Sequence, residues 1–349
     1  MSVIHAAEQS FIDKTEGQPC FQSQVEHDLR PWLQSGITPA VVNVAKEHGV
    51  LYQVIDGHLF RQENCLFPAR CEGVDHFLKK ICHNISNTEF VVNFHDYAQI
   101  PKSSLYGQNV PPPVFSFSKS TEAHSDILYP TWSFFSGGPA IDLYPRGIGD
   151  WDKFRHTISR SAGEWNSKKE QAFFRGSRTS SERDGLILLA RSNSDLIDAQ
   201  YTKNQAWRSL ADTLGREPAG TISFEAQCKY KYLLNMKGVA ASFRYKHLFL
   251  CKSLVLDVES DWIEFFYPFL QPWIHFVPVA SDFTDLMQKL QFLKDNDSIA
   301  ERIADRGFQF IWKYLTPESI ECYWRHLLTR YTNLLKYPII PDESLVRIS

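Results

Sequence analysis

The sequence lacks several patterns that would assign it to common functional classes. Among its 349 residues, 37 Lys and Arg stand against 40 Asp and Glu, so the net charge is −3 and no basic domain is available for nucleic acid. No apolar run approaches the ~18–20 residues that a membrane-spanning helix needs. No CxxC, HExxH or paired Cys/His array indicates zinc. Nucleic-acid partners, a membrane span and a metal centre are therefore not expected.

Internal repeats and low-complexity segments are also lacking, and the composition is that of a globular protein with 14% aromatic residues. A chain of this length exceeds the size at which one core usually stops growing, so two domains are expected. From about Val41, short apolar strands alternate with helical patterns, which predicts an α/β fold with parallel sheets wrapped by helices. Beyond Ser281 only helices are predicted, with Thr284, Asp297 and Thr316 as N-caps.

Local patterns predict individual elements. Two alternating segments, 50–55 and 58–61, are separated by Asp56-Gly57, which is typical of a β-hairpin turn. The second half is predicted to contain strands at 172–175, 195–198, 231–236, 253–258 and 274–278 and helices at 181–192, 241–250 and 261–268. Further helices are predicted over 74–85 and 151–161, with turns at 137–139 and 145–147. Residues 1–19 are polar and are expected to form a disordered extension.

The most informative segment runs from Gln171 to Ala190. An apolar strand pattern ends in Arg175-Gly176-Ser177-Arg178, and hydroxyl residues then precede a helical pattern. Free backbone N–H groups at a helix N-terminus favour an anion, and arginine binds phosphate oxygens through paired hydrogen bonds. Because Arg183 adds a third positive charge, the segment predicts a diphosphate ligand. An ordinary capped helix with solvated arginines is the alternative that the local pattern leaves open.

A second segment, residues 238–251, repeats this arrangement. A predicted strand ends before Gly238, small residues allow a tight turn, and Ser242 is expected to cap a helix whose first turn carries Arg244 and Lys246. Cations at a helix N-terminus oppose the dipole by roughly 0.3–1 kcal/mol each, which a fold tolerates better when an anion binds there. Solvent-facing side chains are the alternative. Two such sites at the carboxyl ends of neighbouring parallel strands would hold a nucleotide diphosphate without metal.

Seven cysteines and two glycosylation sequons bear on the cellular compartment. Cys65 and Cys71 close a short loop that suits a local disulfide better than a metal. Cys228 and Cys251 flank a predicted strand–helix pair, which is compatible with a second bridge, and the odd count leaves one thiol over. The sequons are Asn84-Ile85-Ser86 and Asn296-Asp297-Ser298. Sequons are frequent by chance, but together with the cysteines they favour a secretory compartment.

Several long motifs carry a family resemblance. They are Phe173-Phe174-Arg175-Gly176-Ser177-Arg178-Thr179-Ser180, Tyr201-Thr202-Lys203-Asn204-Gln205-Ala206-Trp207, Cys228-Lys229-Tyr230-Lys231-Tyr232, residues 238–251 and Glu264-Phe265-Phe266-Tyr267-Pro268. The match also takes in Asp126-Ile127-Leu128-Tyr129-Pro130-Thr131-Trp132 and the helical tail through Cys322-Tyr323-Trp324. From about Cys20 onward, the chain resembles the CAP10-type domain of glycosyltransferase family 90, and within it the branch of protein O-glucosyltransferases.

The resemblance implies a GT-B-like fold, with two Rossmann-like domains facing a cleft. Residues 20–165 would form the acceptor-side domain, 166–315 the nucleotide-sugar-binding domain, and 316–349 a C-terminal helix packed back on the first. The implied reaction moves glucose, and in some members xylose, from UDP-glucose or UDP-xylose to a serine of folded EGF-like repeats. The acceptor context is C-x-S-x-(P/A)-C, the anomeric carbon is inverted, and no cofactor or metal is implied.

The resemblance also implies functional residues. Asp126 matches the catalytic base, which would take the proton of the acceptor serine as the new bond forms. By local pattern alone, Asp126 would be a helix-cap or turn aspartate. The diphosphate-binding positions match Ser177, Arg183 and Arg244, with Arg178 and Phe243 as neighbouring candidates.

The compartment and partners follow from the same resemblance. Disulfides are expected between Cys20 and Cys322, Cys65 and Cys71, and Cys228 and Cys251, with Cys82 left free. The implied location is the lumen of the endoplasmic reticulum, although neither a signal peptide nor a KDEL-like end occurs in this sequence. The expected partners are EGF-like repeats of Notch-type extracellular proteins, and the protein is expected to be a monomer.

Two other functional hypotheses and one competing motif remain. The first is a non-catalytic module that retains the fold and binds EGF-like repeats, which does not require Asp126, Arg183 and Arg244 together. A CAP10-type transferase acting on a polysaccharide is less favoured, because the match to the protein-directed branch extends far outside the nucleotide site. Asp150-Trp151-Asp152 has the DxD form of a metal site, but it opens a predicted helix and is interpreted as an acidic cap.

Overall fold

The computed structural model describes residues 2–11, 19–103, 110–135, 143–144, 148–204 and 206–348. Its helices are α1 Ser2–Gln9, α2 Gln22–Leu29, α3 Pro39–Ala45, α4 Pro68–Ile81, α5 Trp151–Arg160, α6 Asp184–Ser192, α7 Phe224–Gln227, α8 Tyr245–Phe249, α9 Leu286–Asp295, α10 Asp297–Tyr314 and α11 Pro317–Thr332. Its strands are β1 Val50–Ile55, β2 His58–Arg61, β3 Thr88–Val92, β4 Val114–Ser116, β5 Lys119–Ser120, β6 Ile127–Leu128, β7 Lys169–Gly176, β8 Ile197–Tyr201, β9 Tyr230–Asn235, β10 Leu254–Val258, β11 Trp262–Ile263, β12 Val277–Val279 and β13 Val346–Arg347. The turns predicted at 137–139 and 145–147 lie outside the described residues.

The predicted β-hairpin is confirmed. Strands β1 and β2 pair antiparallel, with Ile55 opposite His58. Asp56 and Gly57 have φ angles of 49° and 78°, so both central residues of the turn are left-handed, as a type I′ turn requires. This local geometry follows directly from the Asp-Gly pair.

The hairpin belongs to a six-stranded sheet in the order β13-β2-β1-β3-β4-β6. The pairs from β13 to β3 are antiparallel, whereas β3–β4 and β4–β6 are parallel. The sheet is therefore mixed rather than wholly parallel. Its parallel part matters for the site, because the carboxyl ends of β3 and β4 lie at the same edge.

The second half of the chain forms a five-stranded sheet in the order β12-β10-β9-β7-β8, in which every neighbouring pair is parallel. Strand β7 has β8 on one side and β9 on the other, so the chain changes direction across the sheet at this point. Such a reversal is the topological switch point of a doubly wound sheet. The predicted α/β class is confirmed.

Both sheets contribute to one apolar core. Phe115 of β4, Leu233 of β9 and Trp324 of α11 belong to the same cluster of buried side chains. A second cluster covers the other face of the five-stranded sheet and includes Leu234 of β9. None of the described helices combines the length and apolar character needed to cross a bilayer.

Helix α11 packs against α2 and α4. The Tyr323 hydroxyl donates to the Leu128 carbonyl at 3.0 Å. Arg330 donates through Nε and Nη2 to the Glu26 carboxylate at 2.7 and 2.9 Å. These contacts attach the C-terminal helix to elements that precede β7.

The N-terminal segment differs from the disordered extension expected from its polar composition, because it contains α1. Ile4 is 4% exposed and joins the cluster beside the five-stranded sheet. The Glu8 carboxylate accepts a hydrogen bond from Arg306 of α10 at 3.0 Å. A buried apolar side chain and the ion pairs of Glu8 with Arg302 and Arg306 therefore attach a helix that the composition did not predict.

The prediction of a helix over 261–268 is wrong. Strand β11 occupies Trp262–Ile263 and pairs with β5, and a 3-10 turn follows at Tyr267–Phe269. Phe265 and Phe266 are fully buried, so the apolar run reflects burial rather than helical periodicity. A distant pairing partner has overridden the local pattern.

The helix caps follow the predictions in part. Thr316 is the N-cap of α11, where its side chain accepts a hydrogen bond from the Ser319 N–H at 3.2 Å. Asp285 and Asn296 occupy the N-cap positions of α9 and α10, instead of the predicted Thr284 and Asp297. Each of these two shifts is a single residue, within the usual uncertainty of a helix boundary.

Candidate active site

The carboxyl ends of β7 and β9 meet at the switch point of the five-stranded sheet. Strand β7 ends at Gly176 and β9 ends at Asn235. In open α/β sheets, ligands bind in the crevice outside strand ends at such a point. The two segments in which the sequence predicts a diphosphate site begin at this edge of the sheet. Ser177 directly follows β7, and Gly238 lies a few residues after β9.

Arg183 bridges these two strand ends. Its guanidinium donates from Nε and Nη2 to the Lys237 carbonyl at 3.0 and 2.7 Å, and from Nη1 to the Ser177 carbonyl at 2.8 Å. The residue is only 3% exposed. Burial lowers the pKa of Arg183 to about 10. The arginine predicted to bind phosphate therefore also joins the two loops around it.

Arg244 lies immediately before α8 and points back towards β7. Its Nη1 donates to the Arg175 carbonyl, while its Nε is buried without a hydrogen-bond partner. Burial, and to a lesser extent the charge of Arg183, lower the pKa of Arg244 to about 9. An unpaired buried donor of this kind is costly until a ligand accepts from it.

The two guanidinium groups share one aromatic neighbour. The Arg183 and Arg244 guanidinium carbons lie 5.5 and 5.1 Å from the centre of the Phe174 ring. Their hydrogen bonds to the described residues go to backbone carbonyls, and neither forms a salt bridge with a described carboxylate. Two like charges with no salt-bridge partner among the described residues favour an anionic ligand, which would relieve their repulsion.

Glycines bring the backbone close to these side chains. A Cβ atom at Gly176 would lie 3.0 Å from the Arg244 Nη2 and 2.9 Å from the Phe174 Cζ. At Gly238 a Cβ would lie 3.5 Å from the Arg183 Nη2. The absence of a side chain at position 176 therefore allows Arg244 to lie close to the end of β7.

Ser177 and Arg178 differ in their availability. Ser177 is partly exposed beside Arg183, and its hydroxyl has no hydrogen-bond partner among the described residues. Arg178 forms a bidentate pair with Asp184, with distances of 2.8 and 2.6 Å, so its paired donors are already occupied. The structure thus gathers Ser177, Arg183 and Arg244, while Arg178 stands at the edge of the site.

The helix expected to begin at Ser242 is shorter than predicted. Helix α8 starts at Tyr245, with Arg244 at its N-cap, and the Ser242 carbonyl accepts from the Tyr245 N–H at 3.0 Å. Lys246 is fully buried and donates to the Ser133 hydroxyl at 3.0 Å and to the Phe243 carbonyl at 3.1 Å. The Lys246 side chain is therefore part of the protein interior. The partly exposed Phe243 ring packs near His247, beside the arginine pair.

Two cavities flank the paired arginines. One has a volume of about 280 Å³ and is polar; its lining includes Arg178, Ser180, Ser181, Thr202, Asn204 and Trp207. The other has a volume of about 180 Å³ and is more aromatic; its lining includes Asn235, Ser242, Tyr245, Asp257, Trp262 and Tyr267. A ligand with groups on both sides of a diphosphate would find space on each side of the switch point.

The Asp126 carboxylate is held in place by hydrogen bonds in the protein interior. It is fully buried, and its carboxylate accepts from the Gln99 N–H at 2.8 Å, the Ile100 N–H at 2.9 Å and the Ser116 hydroxyl at 2.6 Å. It also precedes β6, at the amino end of that strand. Ligands of α/β sheets lie outside the carboxyl ends of strands, so this position is unfavourable for the base that the resemblance implied.

Asp96 is the exposed carboxylate that the sequence analysis did not single out. It follows the carboxyl end of β3, and its side chain is 58% exposed. Its Oδ1 accepts from Arg70 at 2.8 Å, and the Arg70 guanidinium lies 4.5 Å from the ring of Trp132. Ser133, which follows Trp132 in the sequence, accepts a hydrogen bond from Lys246. Asp96 is therefore linked, through Arg70 and Trp132, to the segment that carries Arg244.

One signal in the sequence pointed to Asp96. It stands four residues beyond a buried apolar strand, within Asn93-Phe94-His95-Asp96-Tyr97, where polar residues at a strand end are typical of a site. Strand β4, the parallel neighbour of β3, ends at Ser116, and two residues later the Ser118 hydroxyl accepts from the Ala241 N–H at 3.2 Å. The carboxyl edge of this sheet therefore meets the arginine-bearing loop.

Comparison with known proteins agrees with this geometry. The family model described as Glycosyl transferase family 90 matches residues 13–349. The O-glucosyltransferase rumi homolog of Aedes aegypti is 50% identical over 333 residues, which cover 94% of this chain and 82% of the relative. The chain belongs to glycosyltransferase family 90.

Two further family 90 relatives agree in name. Protein O-glucosyltransferase 1 of Mus musculus is 50% identical over 334 residues, covering 94% of this chain and 84% of the relative. O-glucosyltransferase rumi of Drosophila melanogaster is 47% identical over 333 residues, covering 94% and 80%. This family 90 chain is a glycosyltransferase enzyme.

The DxD triplet of this family 90 chain is a helix cap, as predicted. The Asp150 carboxylate accepts from the Asp152 N–H at 2.9 Å and the Lys153 N–H at 3.4 Å, at the start of α5. Among the described residues no group of three or more His, Cys, Asp or Glu is arranged to hold a metal ion. The Asp150 side chain is therefore committed to the helix terminus.

The predicted disulfides are confirmed. Bridges join Cys20 to Cys322, Cys65 to Cys71, and Cys228 to Cys251, while the buried Cys82 belongs to none of these bridges and its thiol donates to the Lys79 carbonyl at 3.4 Å. Persistent disulfides are typical of proteins in oxidising compartments. The Cys65–Cys71 bridge ties the segment before α4 to the first turn of that helix, which carries Arg70, the partner of Asp96.

Proposed function

We propose that this glycosyltransferase moves glucose from UDP-glucose to a serine hydroxyl of a folded EGF-like repeat, within C-x-S-x-(P/A)-C. The observation that carries the donor side is the pair of arginines at the switch point, the buried Arg183 and the partly buried Arg244, which share Phe174 and have no described carboxylate partner. The names of the relatives, protein O-glucosyltransferase 1 and O-glucosyltransferase rumi, support glucose as the transferred sugar and a protein as the acceptor.

The donor would bind with its diphosphate between Ser177, Arg183 and Arg244. The leaving UDP develops negative charge as the sugar departs, and donors placed in advance stabilise that charge where it appears. The Arg244 Nε, buried and unpaired, and the Ser177 hydroxyl are available for phosphate oxygens. The two arginines supply the positive charge, so the proposal includes no metal or other cofactor.

The acceptor side of the proposal concerns the base. A carboxylate within hydrogen-bond reach of the acceptor serine takes its proton during attack, and inversion requires one such group. Asp126, implied by the resemblance, is fully buried and bound by three donors. We therefore assign the base to Asp96, whose carboxylate is exposed and oriented by Arg70, and assign Asp126 to the positioning of the 99–100 backbone.

The acceptor would dock around Asp96. Leu66 and Tyr97 are 71% and 50% exposed, although both are large apolar side chains, and they flank the Arg70–Asp96 pair along the chain. Exposed apolar side chains beside a polar centre are typical of a protein-recognition surface.

The proposal further includes two Rossmann-like domains that face a cleft, as in the GT-B fold, and UDP-xylose as a second donor. It also includes a monomeric protein that resides in the lumen of the endoplasmic reticulum.

The reaction is tested by incubating the protein with one folded EGF-like repeat and either UDP-glucose or UDP-xylose, followed by intact mass of the repeat. Addition of one hexose supports glucose transfer. A repeat in which the acceptor serine is replaced by alanine serves as the control and should remain unmodified. Absence of transfer from both donors would favour the binding module that the sequence left open.

The base is tested by comparing Asp96→Asn with Asp126→Asn. We expect Asp96→Asn to lower kcat at least 100-fold with UDP affinity unchanged, because proton removal contributes about 10²–10⁴-fold. Asp126→Asn should instead lower thermal stability, because the amide nitrogen cannot accept the backbone N–H donors. A folded Asp96→Asn variant with full activity would remove Asp96 from the reaction.

A further inference from the structure

The two glycosylation sequons have different structural settings. Asn84 ends a 3-10 turn between α4 and β3 and is exposed, as is Ser86 two residues later. Ile85 between them is extended, with φ and ψ of −110° and 133°. The sequon therefore runs along the surface with both of its recognition side chains accessible.

Asn296 is arranged differently. It lies between α9 and α10, it is only partly exposed, and its Nδ2 donates to the Phe292 carbonyl at 2.8 Å. Ser298 stands inside the first turn of α10. The nitrogen that a glycan would occupy thus already closes the C-terminal turn of α9, and substituting it would disturb a helix junction.

The Asn84 amide makes only a surface contact. Its Nδ2 lies 2.9 Å from the Nε2 of the exposed His83, its sequence neighbour. The hairpin turn is nearby, where the Asp56 N–H donates to the Asn87 side chain at 2.8 Å, and that bond does not involve Asn84. A substituent on the Asn84 nitrogen would therefore displace one solvent-exposed contact.

The position of Asn84 also separates it from the proposed active site. Asn84 precedes the amino end of β3, whereas Asp96 follows its carboxyl end. The five residues of β3 span about 15 Å at about 3.3 Å per residue. A glycan on Asn84 would project from the opposite end of the six-stranded sheet and leave the carboxyl edge accessible.

We propose that Asn84 carries an N-linked glycan and that Asn296 does not. N-linked glycans are added in the secretory pathway, and the three disulfides support passage through that oxidising compartment. The Asn84 Nδ2 forms a bond to the anomeric carbon of an oligosaccharide carried on a polyprenyl diphosphate. The bond from that carbon to the diphosphate oxygen breaks, the lipid diphosphate leaves with the electron pair, and one amide proton is released.

The test uses the full chain secreted from a eukaryotic host, with intact mass measured before and after treatment with peptide N-glycosidase. The wild-type protein should lose the mass of one glycan. Asn84→Gln and Ser86→Ala should each lack that glycan, while Asn296→Gln should retain it. An unchanged wild-type mass, or a glycan that disappears in Asn296→Gln, would overturn the assignment.

Transfer activity tests whether the glycan projects away from the acceptor site. The kcat/KM for transfer to the folded repeat should agree within about twofold between the wild-type protein and Ser86→Ala, because the modified end of the sheet lies away from the acceptor. A tenfold difference in either direction would contradict the placement of the glycan outside the cleft. Asn296→Gln provides the matched control for substitution at a sequon.

Discussion

At the scale of single residues, the donor site depends on how closely Arg244 approaches β7. Its Nη2 would lie only 3.0 Å from a Cβ atom at position 176, and the Phe174 ring lies on the other side of the same position. The guanidinium has no alternative carboxylate among its described contacts. A single methyl group at this point should therefore move the charge that the diphosphate requires.

We expect Gly176→Ala to weaken UDP binding at least tenfold, a loss of about 1.4 kcal/mol, because the new methyl group displaces Arg244. Isothermal titration calorimetry with UDP measures the effect. Gly220→Ala is the matched control, since a Cβ there meets nothing within 4 Å, and its UDP affinity should equal that of the wild type. Equal affinities for both variants would show that Arg244 adjusts without cost.

Asp257 allows a prediction on pH. Its carboxylate accepts from Asn235 at 2.7 Å, and burial raises the pKa of Asp257 to about 7. The unfolded chain releases this proton near pH 4, so the native state binds more protons between pH 4 and 7. The contribution of the protonated Asp257 to stability is therefore complete below pH 4 and is lost as pH rises through 7.

Asp257→Asn should remove this loss. The melting temperature of the variant relative to the wild type is expected to increase between pH 5 and pH 7 and then to level off, by about 2 °C or more. Differential scanning calorimetry across this range measures the trend. Asp195→Asn, at an exposed position, is the control. A difference that stays constant with pH would contradict the raised pKa of Asp257.

At the residue level, the sequence predicts a shared location best where chemistry and spacing are local. Ser177, Arg183 and Arg244 meet because both of their segments leave neighbouring strand ends. Asp126 and Asp96 cannot be distinguished in this way, because each lies close to a histidine and an apolar strand. Only the three-dimensional fold shows that one carboxylate is bound by three donors while the other remains exposed.

At the scale of secondary-structure elements, caps and pairing partners decide which predictions hold. The hairpin at Asp56-Gly57 was predictable, because the turn alone fixes its register. Strand β11 was not, because its pairing with β5 joins residues about 140 positions apart, and no local pattern contains that information. The cap of α11 was predicted, whereas the cap of α9 shifted by one residue to Asp285.

The caps of α11 and α9 can be compared directly. Thr316→Ala should lower the free energy of unfolding by about 1 kcal/mol, because the Ser319 N–H loses its side-chain acceptor. Thr284→Ala should change it by less than about 0.5 kcal/mol, since Thr284 is exposed and lies outside the cap position. Chemical denaturation of both variants measures the difference, and equal losses would contradict the assigned caps.

At the scale of the whole molecule, one disulfide encloses nearly the entire chain. Cys20 and Cys322 are separated by 302 residues, whereas Cys65 and Cys71 are separated by six. Loop-closure entropy grows with the logarithm of loop length, so the long bridge restricts the unfolded chain far more than the short one. The long bridge also fixes α11 to the segment that precedes α2.

Replacing both cysteines of the long bridge by serine should destabilise the protein by up to about 5–6 kcal/mol, against about 2 kcal/mol for the Cys65–Cys71 pair. Denaturant titration under non-reducing conditions compares the two double variants. The ordering tests the entropic origin, since both pairs are replaced by the same residue type. A larger loss from the short pair would show that local strain or packing dominates.

The order of the strands along the chain also determines when each sheet can be completed during translation. The five-stranded sheet is built from one continuous stretch, Lys169 to Val279, and can assemble as soon as that stretch is synthesised. The six-stranded sheet acquires its last strand only at Val346–Arg347, and its covering helix α11 only after residue 316. Until that strand is synthesised, the six-stranded sheet has an unpaired edge along β2, so we expect it to complete its pairing later than the five-stranded sheet.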